Sequence, residues 1–253
     1  MSGHSKWSSI KHQKGVADAR RGQLFTKLTK EIIVAVRQGG DNPEANFRLR
    51  LGIQKARDNN MPLDNIERAI KRGNGTLEGT ILVEMVLEGY GPSGVAILVQ
   101  ALSDNRNRTL QEVRNVFSRS GGSLGENGCV AWIFDTLGLI TIDVQYQELD
   151  KEDLALQAID AGADDVKIES DHIEVYTKPD ELEKLRQALE ENNFNIASAE
   201  LSMIPKTLVD LEEKAALQTL KMLDKLEGLD DVQQVYSNVN FSDEILEKYR
   251  LQA

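Results

Sequence analysis

Leu137-Gly138-Leu139-Ile140-Thr141-Ile142-Asp143-Val144 opens a segment in which strand and helix patterns follow one another in a diagnostic order. Residues 137–144 read as a strand, 151–161 as a helix, 165–169 and 172–176 as two short strands, 180–191 as a second helix and 197–204 as a last strand. That order, βαββαβ, folds as a four-stranded antiparallel sheet with both helices on one face. The unit is complete in itself within residues 135–204.

The flanks of this unit read as two halves of another. Residues 80–88 and 95–102 are apolar, β-branched runs joined by Gly89-Tyr90-Gly91-Pro92-Ser93-Gly94, a hairpin pattern, and a helix with Leu110, Val113, Val116 and Phe117 inward follows. A helix over 207–226 and a strand over 232–236 supply what that unit lacks. Gly121-Gly122-Ser123-Leu124-Gly125-Glu126-Asn127-Gly128 suggests a phosphate cradle, but it lacks the Gly-Lys-Ser/Thr ending and precedes a strand, 129–134, so it reads as a flexible loop.

Before the hairpin the period is helical. Phe25, Leu28, Ile32 and Ala35/Val36 recur at three- and four-residue steps over 16–38, with Lys27, Lys30 and Arg37 facing elsewhere, until Gly39-Gly40 stops the helix. Asn42 as N-cap with Pro43 behind it opens a second helix to Asp58, and a third with Ile66, Ala69 and Ile70 inward ends at Lys71-Arg72-Gly73. The third helix exposes Asn65, Arg68, Lys71 and Arg72, residue types that read base edges in a helix-turn-helix; the stronger reading is that cations in a last turn answer the helix dipole.

The fold class expected is α+β: an N-terminal three-helix domain followed by two α+β domains, the ferredoxin-like one inserted into the other. The boundaries are 1–75 for a basic helical domain, 76–134 with 205–240 for an α+β domain, 135–204 for the insertion, and 241–253 for a C-terminal tail with one weak helical turn.

Charge is segregated along this chain. Residues 1–72 carry +8 and residues 73–253 carry −19, together the formal −11. Between Met1 and Lys30 seven cations face one acid, Asp18. Such a segment suits a phosphate backbone, with Trp7 offering a flat face to a base, although a solvated tail and an ordinary basic helix face have the same composition. The single Cys129 excludes an internal disulfide and fits a reducing cytoplasm; no apolar run has the length of a membrane span. His4, His12, His172 and Cys129 are scattered, so neither a metal site nor a cofactor is expected, and no nucleophile motif or dinucleotide fingerprint points to an enzyme.

Gly3-His4-Ser5-Lys6-Trp7, Arg20-Arg21-Gly22, Phe25-Thr26-Lys27-Leu28, Asp41-Asn42-Pro43, Met61-Pro62, Tyr90-Gly91-Pro92 and Asp104-Asn105-Arg106-Asn107-Arg108-Thr109 together closely resemble the YebC/PmpR family, whose eukaryotic relatives include the mitochondrial translational activator of cytochrome c oxidase subunit one. The resemblance implies three domains, no known catalysis, and a gene-regulatory role. The role is either that of a DNA-binding transcriptional regulator or that of a ribosome-associated factor that contacts ribosomal RNA and relieves stalled translation. The partner is accordingly promoter DNA or the ribosome, with a protein partner on the acidic domains as a further possibility and no membrane. The candidate contact residues are His4, Lys6, Trp7, Lys11, His12, Lys14, Arg20, Arg21, Lys27, Lys30, Arg106 and Arg108.

Overall fold

The computed structural model describes residues 18–78, 81–144, 150–169 and 172–252. Along the chain these form α1 (Asp18–Gly39), α2 (Phe47–Asp58), α3 (Leu63–Gly73), β1 (Val83–Tyr90), β2 (Ala96–Ser103), α4 (Arg106–Arg119), β3 (Ser123–Leu124), β4 (Phe134–Asp143), α5 (Lys151–Asp160), β5 (Asp165–Ile168), β6 (His172–Thr177), α6 (Leu182–Glu191), β7 (Ile196–Pro205), β8 (Val209–Asp210), α7 (Glu213–Glu227), β9 (Val232–Ser237), β10 (Val239–Asn240) and α8 (Asp243–Gln252). The molecule is α+β, and the chain packs as two compact units, residues 135–204 being one and the flanking segments the other.

In the inserted unit the strand order is β5-β6-β4-β7, which is the order the βαββαβ pattern requires. Register places Ile140 opposite Val175 and Ile142 opposite Ile173, and all four are buried. The buried Leu154 and Ala158 of α5 and Leu182, Leu185 and Leu189 of α6 fall at helical spacing, one stripe per helix.

In the other unit the hairpin β1–β2 forms as expected, and β9 pairs antiparallel with β2, so the chain finishes after the insertion a sheet that it began before it. Its order is β3-β1-β2-β9. Val113 and Phe117 of α4 and Leu220 and Leu223 of α7 share one core with Leu87, Ile97 and Val99 of the sheet. Each such side chain contributes about 1.5–3 kcal/mol when fully buried. The stretch after the insertion departs from expectation at both ends. Its helix starts at Glu213, because Val209–Asp210 instead pairs in parallel with Val239–Asn240. Residues 243–252 form a full helix, α8, and Phe241, Leu246 and Tyr249 enter the core. A short amphipathic helix gains its stability from that packing and not from propensity.

The three N-terminal helices bury Leu28, Ile32, Ala35, Val36, Leu49, Ile53, Ala56, Met61, Ile66 and Ala69 together. α3 ends against α1 so closely that a Cβ on Gly73 would lie 2.6 Å from the Cβ of Val36. The start of α2 is not at Asn42-Pro43. Asn42 Oδ1 accepts the Glu44 N–H at 3.0 Å in an isolated turn, and the helix opens four residues later under Asn46. Asn46 Oδ1 accepts the Leu49 N–H at 3.1 Å, while its Nδ2 donates to the carbonyls of Ala35 and Gly40 at 2.7 Å each. A cap that also satisfies two carbonyls of the preceding segment wins over one with a single local bond.

Asn46→Ala is expected to lower the unfolding free energy by about 2 kcal/mol or more, losing a cap and two further bonds. Asn42→Ala should change it by about 0.5 kcal/mol or less, as at an ordinary surface site. Urea denaturation of the two variants checks this, and equal costs would mean that the helix is set by Asn42.

Candidate nucleic-acid interface

The basic helix α1 reaches the sheet through its lysines. Lys30 Nζ lies 2.6 Å from Asp231 Oδ1 and donates to the Asp230 carbonyl at 3.1 Å, and Lys27 Nζ donates to the Glu227 carbonyl. Asp231 sits just ahead of β9 with its side chain 2 % exposed. Its other oxygen accepts from Arg108 Nη2 at 2.7 Å, Thr109 Oγ1 at 2.6 Å and Ser103 Oγ at 2.9 Å. Arg108 also binds Asp104 at 2.8 Å.

The candidate residues therefore separate into groups. His4, Lys6, Trp7, Lys11, His12 and Lys14 lie outside the described residues, and Arg20 is in the first turn of α1. Arg21 and Arg106 are exposed. Lys27, Lys30 and Arg108 instead have partners inside the protein, and two of them meet on one carboxylate. α4 is capped by Asn105, whose Oδ1 accepts the Arg108 N–H at 3.1 Å. That cap points the first turn of the helix at Asp231. Sequence reasoning had no signal for this cluster, because Lys30 and Asp231 are 201 residues apart.

Burial alone would raise the Asp231 carboxyl, but the bonds from Lys30, Thr109, Arg108 and Ser103 outweigh it and hold the group far below the usual carboxylate range. A second ion cluster repeats the pattern. Arg48 pairs with Glu31 of α1 at 2.8 Å and with Glu84 of β1 at 2.5 Å, which again ties helices to sheet. Arg57, Arg68, Lys71 and Arg72 are exposed on α2 and α3.

The glycine-rich loop holds an anion, and the anion is the protein's own. Glu88, 5 % exposed, accepts the N–H groups of Gly128, Val130 and Ala131 at 2.7, 2.9 and 2.7 Å. Burial would raise this carboxyl too, and the three amides bring it below its ordinary value. Val130 and Ala131 thus have no N–H free for a ladder. The strand expected over 129–134 is a turn with one 3₁₀ segment, Ala131–Ile133, and β4 begins at Phe134. Among the described residues no group of three or more His, Cys, Asp or Glu could hold a metal ion. No described helix is long and apolar enough to cross a membrane.

Residues 5–76 match the TACO1/YebC protein N-terminal domain, and residues 82–239 match the TACO1/YebC second and third domain. The chain belongs to the TACO1/YebC family. A probable transcriptional regulatory protein of Dehalococcoides mccartyi is 60 % identical over 253 residues, covering the whole of both chains. One of Trichlorobacter lovleyi is 54 % identical over 248 residues, covering 98 % of this chain and 99 % of the relative. The crystal structure of a conserved hypothetical protein from Aquifex aeolicus superposes with a TM-score of 0.87 at 47 % identity, covering 95 % of this chain and 99 % of that one. In this TACO1/YebC protein the Lys30–Asp231 pair joins the N-terminal domain to the segment that carries the second and third.

The native Asp231 binds its proton more weakly than the unfolded chain does. Its contribution is therefore present above the unfolded value, about pH 4, and is lost as pH falls from there toward the depressed native value. Asp231→Asn should lose stability at neutral pH and lose less of what remains on acidification; urea unfolding at a series of pH values measures both. Asp231→Ala, which leaves Lys30 and Arg108 facing an uncharged site, is expected to cost about 3–5 kcal/mol.

Proposed function

We propose that the protein is a non-enzymatic regulator of gene expression that binds duplex DNA through its cationic N-terminal segment and acts in transcription. The observation that carries the reading is charge segregation: +8 over residues 1–72 against −19 over the rest. The segment before α1 reaches its third turn supplies Lys6, Lys11, Lys14, Arg20 and Arg21 against the single acid Asp18. The names of the relatives, probable transcriptional regulatory proteins, support the same reading.

The contact set narrows to His4, Lys6, Trp7, Lys11, His12, Lys14, Arg20, Arg21 and Arg106. Lys27 Nζ, Lys30 Nζ and Arg108 Nη2 are engaged by carbonyls and carboxylates of the same chain, so these three residues are assigned to positioning α1 and α4. The acidic remainder repels phosphate and so limits non-specific binding along the nucleic acid. Phosphate contacts of this kind give affinity and orientation, whereas base selection needs groups that reach the base edges. The single cysteine suits a reducing cytoplasm.

If about four cations pair with phosphates, duplex binding should fall with salt at a log–log slope of about −3.6. Replacing Lys6, Lys11 and Lys14 together with Ala should bring the slope toward about −0.9. Fluorescence anisotropy of a labelled duplex at increasing salt reads this directly, and an unchanged slope in the triple variant would remove the segment from the interface.

A further inference from the structure

The chain holds two Asn-Gly pairs, Asn74-Gly75 and Asn127-Gly128, and both are exposed. In such a pair the glycine nitrogen can close on the asparagine Cγ, because no Cβ shields that nitrogen or opposes the turn of the peptide plane that brings the two together. The structure treats the two pairs in opposite ways. The Gly128 N–H donates to the buried Glu88 carboxylate at 2.7 Å, so the nucleophile of the second pair is engaged. Among the described residues the Gly75 N–H donates to no acceptor.

Asn74 closes α3, its own N–H donating to the Ile70 carbonyl at 3.0 Å. Its side chain is set for the same reaction. Oδ1 accepts the Thr76 N–H at 3.1 Å and the Thr76 hydroxyl at 2.7 Å, so two donors already point at the atom on which negative charge develops when Cγ is attacked. Nδ2, the leaving nitrogen, donates to Asp41 Oδ2 at 2.9 Å, which puts a proton acceptor beside it. The plane between Asn74, at ψ 2°, and Gly75, at φ 80°, must turn before the nitrogen meets Cγ. Nothing lies within 4 Å of where a Gly75 Cβ would be, and glycine absorbs the compensating change in φ at no steric cost.

We propose that Asn74 is a site of self-catalysed deamidation, a slow chemical clock at the end of α3, and that Glu88 protects Asn127 from the same reaction. The Gly75 nitrogen attacks Cγ and forms a C–N bond; its proton passes by way of Asp41 to Nδ2; and the Cγ–Nδ2 bond breaks to release ammonia. Water then opens the cyclic imide at either carbonyl, leaving aspartate or isoaspartate at position 74. The product sets a second carboxylate against Asp41 where an amide had donated, so the tie between α3 and the turn after α1 becomes a repulsion. It also adds a negative charge to a helix end that carries the exposed Lys71 and Arg72. This chemistry goes beyond the duplex reading and stands independently of it.

The test ages the full chain in mildly alkaline buffer, with and without an unfolding concentration of urea, while peptide mass spectrometry follows amide loss at each asparagine. In urea the two pairs report their rates without the fold. In the folded chain Asn127 should fall at least about tenfold below its urea rate, since its nucleophile is held by an ionised group, while Asn74 should match or exceed its own. Thr76→Val, at an exposed position, removes one of the two donors to Oδ1 and should slow Asn74 by about tenfold with Asn127 unchanged. If the Thr76 bonds served only to tether the side chain, the same variant would free it and the reaction would run faster. An unchanged or faster rate at Asn74 in Thr76→Val overturns the assignment, as does a folded-state rate at Asn74 below its rate in urea. Should Thr76→Val not fold, the comparison of folded and unfolded rates in the natural chain decides alone. Neither readout involves nucleic acid, so the outcome is separate from that of the duplex titration.

Discussion

A carboxylate at 2 % exposure stays ionised only if the protein returns the hydrogen bonds that water would have given it. Asp231 obtains them from three separate segments: Lys30 on α1, Ser103 at the end of β2, and Arg108 and Thr109 in the first turn of α4. The cluster thus ties α1 to the end of β2, the first turn of α4 and the start of β9 through one carboxylate. The backbone joins in, because the Asp231 carbonyl accepts the Leu102 N–H at 2.8 Å beside the register shift between Gln100 and Ala101. The irregularity in the β2–β9 ladder and the ion cluster are thus one feature.

Glu88 applies the same physics to a loop. Gly128, Val130 and Ala131 offer three amides to a single point, an arrangement able to take an external phosphate, and the chain fills it with its own buried carboxylate. Asp231 occupies two of the sequence's candidate cations, and Glu88 occupies its candidate cradle. Arg21 and Arg106, like Arg57, Arg68, Lys71 and Arg72, remain exposed.

Elements whose pattern is local were legible in the amino-acid sequence. The alternation in β1 and β2, the βαββαβ order and the three apolar stripes of α1, α2 and α3 each lie within a short window, and hydrophobic period reports them. What failed was competition between near-equivalent local signals. Asn42 and Asn46 are both good caps, and only the carbonyls of Ala35 and Gly40 decide between them. Residues 129–134 have the composition of a strand, but Glu88 takes two of the amides that a ladder would need. α8 is short and charged, and its helical state depends on a core assembled from distant segments. For the candidate site, composition could not tell a cation facing solvent from one facing Asp231. That distinction is a matter of contacts between residues far apart in the chain.

Net charge makes the last point. At −11 the whole molecule repels nucleic acid at long range, yet fields between exposed charges are screened beyond about 8 Å at physiological salt. Binding is therefore governed by the charges within reach of a phosphate and not by the total. Pairing Lys30 and Arg108 with Asp231 removes two cations from that local count, and Arg48 is likewise spent on Glu31 and Glu84. The run Lys6, Lys11, Lys14, Arg20 and Arg21 has only Asp18 among it. An acidic protein can hold a polyanion on these terms wherever cations outnumber acids within reach of the phosphates.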